Sequence, residues 1–185
     1  MKTDQNRKQD WLLETVDCYE GRLIQYAARI IGDTEQARDV VQETFLQLWK
    51  AERTKVENHL EQWLYTVCRN RCLDLIKKGK RMFSLNTDME FAGAENISQI
   101  ENIELQETKD DVLAAIQALP SNQKEVICLK FQNELSYKEI SKITGLSVSN
   151  VGFLIHNGIK SMRSSLKKLD IRMVNIREAQ NDTQD

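Results

Sequence analysis

The stretch from Ser136 to Met162, SYKEISKITGLSVSNVGFLIHNGIKSM, carries the sharpest structural signal in the chain. Ser136 and Glu139 form an S-x-x-E capping box, in which hydroxyl and carboxylate each satisfy a backbone N–H left open at a helix start. Ser141 is a small residue where two crossing helices approach. Gly145, four residues later, supplies a tight turn, and Leu146 is placed to plug the core beneath it. Ser147 then caps a second helix whose Val151, Ile155, Ile159, Met162 and Leu166 recur on one face. A small residue, a glycine four on and a β-branched residue six after that is the rhythm of a helix-turn-helix. It suits an αα-hairpin that binds nothing equally well. The basic residues from Lys160 onward favour nucleic acid, because phosphate contacts need positive charge.

Outward from this stretch the chain reads as helical throughout. Its 185 residues hold one proline and seven glycines, too few to punctuate an all-β fold. From Trp11 to Ile31 the residues Leu12, Val16, Tyr19, Leu23, Tyr26, Ala27 and Ile30 repeat at helical spacing, and Gly32 stops the helix. Asp33 caps the next, with Gln36 three residues on, and that helix runs to about Glu52 with Ala37, Val40, Val41, Thr44, Phe45, Leu48 and Trp49 inward. A polar stretch, Arg53 to Asn58, leads to a third helix over Leu60 to Lys78. After residue 111 a second bundle opens with Val112, Leu113, Ile116 and Leu119, and Pro120 breaks that helix and enters the first turn of the next. The expected fold is all-α: two small helical bundles over 1–82 and 112–172, an acidic linker over 83–111, and a polar tail over 173–185 that frays from Glu178 onward. Some helix is expected to enter the linker from Glu104 onward.

Net charge is −2, which on average disfavours a polyanion as partner. The distribution reverses that reading. Arg69 to Met82 nets +5, with six basic residues against Asp74. Lys160 to Arg172 nets +4, and Phe83 to Asp111 between them nets −7. Two basic blocks separated by an acidic one fit a nucleic-acid binder with an acidic spacer. Cys18, Cys68, Cys72 and Cys128 make no CxxC pair and read as small buried thiols; no metal site and no cofactor are expected. No apolar run reaches the ~20 residues that span a bilayer, and the polar start lacks a signal peptide, so a cytoplasmic protein without stable membrane insertion is expected.

Three blocks carry a family resemblance. GDTEQARDVVQETFLQLWK (Gly32 to Lys50) resembles the second conserved region of sigma-70 family proteins of the extracytoplasmic-function (ECF) group. LEQWLYTVCRNRCLDLIKK (Leu60 to Lys78) is similar to the promoter-melting and −10-reading helix of that group. ALPSNQKEVICLKFQNELSYKEISKITGLS (Ala118 to Ser147) resembles its C-terminal domain. The resemblance covers about Asp10 to Leu169, in the family's order.

It implies a bacterial RNA polymerase sigma factor that is not itself an enzyme: it binds core polymerase, recognises −35 and −10 elements and promotes strand opening. The implied partners are promoter DNA, the clamp helices of the largest polymerase subunit and the flap of the second-largest, with an anti-sigma factor as a candidate. Core docking would fall to Asp39, Gln42, Glu43 and Gln47, with Phe45 or Trp49 at the rim. The −10 and melting residues would be Trp63, Tyr65, Arg69, Asn70, Arg71, Asp74, Lys77 and Lys78, aromatic and basic groups suited to unstacked bases and phosphates. The polar stretch from Arg53 to Asn58 would help to form a pocket for a flipped base. The −35 set would be Ser147, Ser149, Asn150, Phe153, Asn157 and Lys160. One departure bears on that set. Val151 to Lys160 reads VGFLIHNGIK, with Leu154 and Asn157 where the family often has basic residues, so shape readout competes with base readout. The linker would thread toward the RNA exit path, or act only as a solubilising tether.

Other classes make different demands. A helix-turn-helix regulator that binds duplex operator DNA without core polymerase would need a dimerisation surface. A nuclease would need paired acids on a rigid element beside a lysine or histidine, which the sequence does not offer. A degenerate paralogue would act only as an adaptor.

Overall fold

The computed structural model describes residues 4–83 and 111–181, with side chains over 7–79 and 111–167; residues 84–110 of the linker, with most of the helix expected from Glu104, and residues 182–185 of the tail lie outside the described residues. Every element among the described residues is helical, as expected. The chain divides into two compact units. The first is built mainly from α1 (Asp4–Ile31), α2 (Thr34–Lys50), the short α3 (Arg53–Val56) with a 3₁₀ turn over Glu57–His59, and α4 (Leu60–Phe83). The second is built mainly from α5 (helical over 111–117), α6 (Ser121–Phe131), α7 (Tyr137–Thr144) and α8 (Val148–Asn181).

In the first unit α1, α2 and α4 pack pairwise on one another. Leu23, Ala27, Val41, Leu48, Leu64 and Tyr65 are completely or almost completely buried between them. Asp33 starts α2 by accepting the Gln36 amide hydrogen at 3.0 Å. The Gln36 side chain reaches the Asp33 carboxylate at 3.1 Å, where a capping box would have sent it to the Asp33 backbone. The Gln36 backbone N–H foremost, and then its side-chain amide, hold the Asp33 carboxyl below its ordinary value. Cys68 and Cys72 are buried as expected, and the Cys72 contact and burial both push the Cys68 thiol up, away from the reactive thiolate. Cys18 departs from expectation. It is exposed, because its phase on α1 points away from α2 and α4.

The polar stretch over Arg53 to Asn58 folds as α3 and the 3₁₀ turn, with the Arg53 guanidinium 3.0 Å from Glu57, and α4 starts at Leu60 as expected. Two other boundaries differ. Pro120 sits one position earlier than expected, as the N-cap of α6. The tail expected to fray is helical as far as Asn181, where α8 ends.

In the second unit α6 packs on α8, and Val126, Ile127, Cys128 and Leu129 are buried. Close approach explains Gly158: a Cβ there would lie 2.4 Å from Ile127 Cδ1. The Ser136–Glu139 capping box forms, with the Ser136 amide 2.8 Å from Glu139 Oε2 and the Glu139 amide 3.3 Å from Ser136 Oγ. Ser141 Oγ donates to the Leu146 carbonyl across the turn, and Gly145 takes φ +75°. Leu146 is half-buried rather than a core plug, whereas Ile140 and Val151 on the two flanking helices are each 0 % exposed.

Candidate functional site

Three helix faces carry the residues singled out by the sequence. On α2 the inward stripe is Ala37, Val40, Val41, Thr44, Phe45 and Leu48. Asp39, Gln42, Glu43 and Gln47 are exposed. Phe45, expected as an alternative at the rim, is only 9 % exposed and belongs to the core, because its phase faces the other helices. Trp49 is 41 % exposed, with Lys8 Nζ 5.3 Å from its ring centre in a cation–π contact. Leu46 escaped the sequence reading altogether. It stands 59 % exposed at the middle of the polar ridge, where its only sequence signal was an apolar residue out of phase with the buried stripe.

On α4 the burial of Leu64, Tyr65, Cys68 and Cys72 fixes which face points out. Trp63, Asn70 and Lys77, spaced by seven residues, share that outward ridge; Trp63 is half-buried, Asn70 and Lys77 exposed. Asp74 and Lys78 are exposed beside it, while the half-buried Arg69 and Arg71 flank it on opposite sides. Tyr65 is a correction. It is 0 % exposed, packed edge-on against Tyr26 at 5.1 Å and 83°, and burial foremost, with Glu61 nearby, pushes its phenol up. A ring sealed in the bundle cannot stack on an unpaired base.

A shallow groove runs between α2 and α4, lined by Gln36, Asp39 and Glu43 on one wall and by Arg71, Asp74 and Lys78 on the other. Arg71 Nε lies 3.4 Å from Glu43 Oε2. Two residue sets that the sequence assigned to different partners therefore meet in one groove.

On α8 the buried residues are Val151, Leu154, Ile155 and Gly158. Leu154 is thus core, at 7 % exposed. Ser147 caps the helix by accepting the Asn150 amide hydrogen at 3.2 Å. Ser149, Asn150, Phe153 and Lys160 are exposed, and Asn157 is half-buried on a flank. His156, not singled out by sequence, is exposed at the centre of the outward ridge. Among the described residues no group of three or more metal-ligating side chains comes together, and no helix is long and apolar enough to cross a membrane.

Comparison with known proteins agrees with this layout. The profile of Sigma-70 region 2 matches residues 15–82, and that of Sigma-70, region 4, matches residues 109–162. The chain is 29% identical to the ECF RNA polymerase sigma factor SigW of Bacillus subtilis over 173 residues, 87% of this chain and 91% of that protein. It is 26% identical to SigM of the same organism over 162 residues, 88% of this chain and 96% of that one. Among solved structures, the sigma factor RpoE from Bartonella quintana, crystallised with the anti-sigma factor NepR, matches with a TM-score of 0.65. At 21% identity, over 83% of this chain and 95% of that one, this likeness speaks for the fold. With regions 2 and 4 both matched in order and similarity to ECF proteins along most of its length, the chain belongs to the sigma-70 family, in its extracytoplasmic-function group, and is a sigma factor.

Proposed function

We propose that the first unit docks on core RNA polymerase through the α2 ridge and opens promoter DNA along α4, while the second unit reads the upstream −35 duplex through α8. The observation that carries this reading is the ridge of Asp39, Gln42, Leu46 and Trp49 on α2, directly beside the groove that α4 shares. A polar ridge with exposed Leu46 at its middle and exposed Trp49 at its end suits a protein partner, since the buried core of an interface is more apolar than the surface around it and tryptophan is among the residues that carry most of the binding energy. The neighbouring α4 ridge, with Trp63, Asn70 and Lys77, combines one ring, one amide and one cation, a set suited to an unpaired base and its phosphates.

In this mechanism the clamp helices of the largest subunit cover the α2 ridge and bring α4 to the −10 region. Strand separation exposes bases, and the Trp63–Asn70 face offsets the unstacking cost of a few kcal/mol per extruded base. The flap of the second-largest subunit receives the second unit, and an anti-sigma factor competes for these surfaces. The −7 linker over 83–111 acts during initiation, where carboxylates occupy a path that the RNA later takes. The protein works in the cytoplasm and supplies no catalytic group of its own.

Run-off transcription with purified core polymerase and a promoter library tests the reading. Promoter-selective transcripts that depend on the added protein are expected. Tight duplex binding without core, together with no transcription, would instead mark a free-standing regulator.

A further inference from the structure

Phe153 is a feature of the second unit that packing does not explain. It stands 63 % exposed on α8, although an aromatic ring gains most from burial. Opposite the buried face of Val151, Leu154, Ile155 and Gly158, the ridge runs Ser149, Phe153, His156 and Lys160, all four exposed. From Val148 to Lys167 there is no Asp or Glu, so the ridge carries no charge that repels a phosphate. It is small and polar at the helix start, apolar at its centre and cationic beyond.

A phenyl ring has no conventional hydrogen-bond donor or acceptor. It therefore has little to offer guanine O6 and N7, adenine N6 or cytosine N4, and it cannot stack on a base that stays paired. Thymine differs, because its C5-methyl is the one hydrocarbon group the four bases present in the major groove. We propose that Phe153 reads thymine in the upstream promoter element by packing on the C5-methyl, with Lys160, two turns further on, against a phosphate. The proposal rests on the assignment of α8 to −35 duplex DNA above.

The test uses the full-length protein with core polymerase. A duplex library randomised over the upstream element is selected by holoenzyme binding, and the selected element is rebuilt with deoxyuridine replacing each thymine in turn. That exchange removes only the methyl. Wild type is expected to lose about fourfold in competition binding at one or two positions, equivalent to the ~0.8 kcal/mol of one buried methyl group. Phe153→Ala should bind the thymine duplex about fourfold more weakly and be indifferent to deoxyuridine there, while Phe153→Leu should stay sensitive. Wild type that tolerates deoxyuridine at every position overturns the proposal without needing any variant. An equal loss in wild type and Phe153→Ala overturns it too. Lys160→Ala combined with Arg163→Ala separates the two levels. If this pair weakens binding while deoxyuridine does nothing, α8 still binds DNA and only the methyl contact is wrong. If neither the pair nor the upstream sequence matters, the −35 assignment and the proposal fall together.

Discussion

Arg71 of α4 and Glu43 of α2 face each other across the groove at 3.4 Å, so the helix proposed to melt DNA is tied to the helix proposed to hold polymerase. Both side chains remain substantially exposed, at 40% and 56%. Solvent screening therefore limits the pair to about 0.5 kcal/mol of stability. Its larger consequence is positional, because it directs the Arg71 guanidinium toward α2.

Glu43→Gln should accordingly leave thermal stability almost unchanged while altering promoter opening. The expected outcome is core affinity lowered by no more than a few-fold and a changed open-complex rate, since Arg71 is released. Fluorescence titration with core enzyme and permanganate footprinting would separate the two effects. Wild-type values in both would mean that the ion pair only decorates the groove.

The triple change of Asp39, Gln42 and Glu43 to alanine should weaken core binding about tenfold or more without unfolding the protein, since all three are exposed. Leu46→Asp should do so alone, by placing a charge at the centre of an apolar contact. Retention of full core affinity by folded Leu46→Asp would remove the α2 ridge from the interface.

These residues also show what sequence alone could and could not reveal. The helices of the described residues, their caps at Asp33 and Ser136, the turn at Gly145 and the inward stripe of α2 as far as Leu48 all follow from local spacing, and form; Trp49, expected inward as well, is 41 % exposed because it falls at the edge of the buried face. The site was less legible, because exposure depends on which phase of a helix meets its neighbours. Tyr65, between Trp63 and Arg69, read as part of a stacking surface, yet its partner Tyr26 comes from α1 and seals it in the core. Leu46 and His156 were overlooked for the converse reason: neither belongs to a periodic stripe, and only the packed bundle shows them pointing outward.

Tyr65 leads to a pH prediction. Its folded pKa is raised by burial, as is that of Tyr19, while the unfolded chain ionises near the ordinary tyrosine value of 10.0. The stabilisation is fully present below that value and is lost as pH rises from there through the folded values. Cys68, raised from an ordinary 9.0, adds to the same loss, so thermal melts should fall from about pH 9 and more steeply above about pH 10, where Tyr65→Phe should flatten the fall. Tyr65→Ala should cost about 3–5 kcal/mol at neutral pH by opening a cavity. A Tyr65→Ala variant with wild-type stability would contradict the packing described here.

At the turn before α8, Gly145 takes φ +75°, and a Cβ built there meets nothing within 4 Å. The cost of Gly145→Ala is therefore backbone strain alone, about 1–2 kcal/mol, and Gly145→Asn should cost less because asparagine tolerates that conformation. Urea unfolding would rank the three proteins. Equal stability for alanine and glycine would show that the turn can relax without the left-handed residue.

The last prediction concerns Asn70, the exposed amide on the α4 ridge between Trp63 and Lys77. An exposed residue away from the core contributes little to folding, so Asn70→Ala should shift stability by no more than about 0.5 kcal/mol. Its amide can donate and accept at one base edge, whereas Lys77 can only neutralise phosphate. Their removal should therefore have different signatures. Asn70→Ala should relax preference at one position of the −10 element by about 1–3 kcal/mol of discrimination, if its contact resembles a good amide–base pair, and leave the salt dependence of open-complex formation unchanged. Lys77→Ala should weaken all promoters alike and reduce the salt slope by about one. Measuring relative transcription from a −10 single-substitution series at two salt concentrations distinguishes them. If Asn70→Ala behaves as Lys77→Ala does, the ridge holds the strand without reading it, and −10 selectivity must come from another part of the first unit.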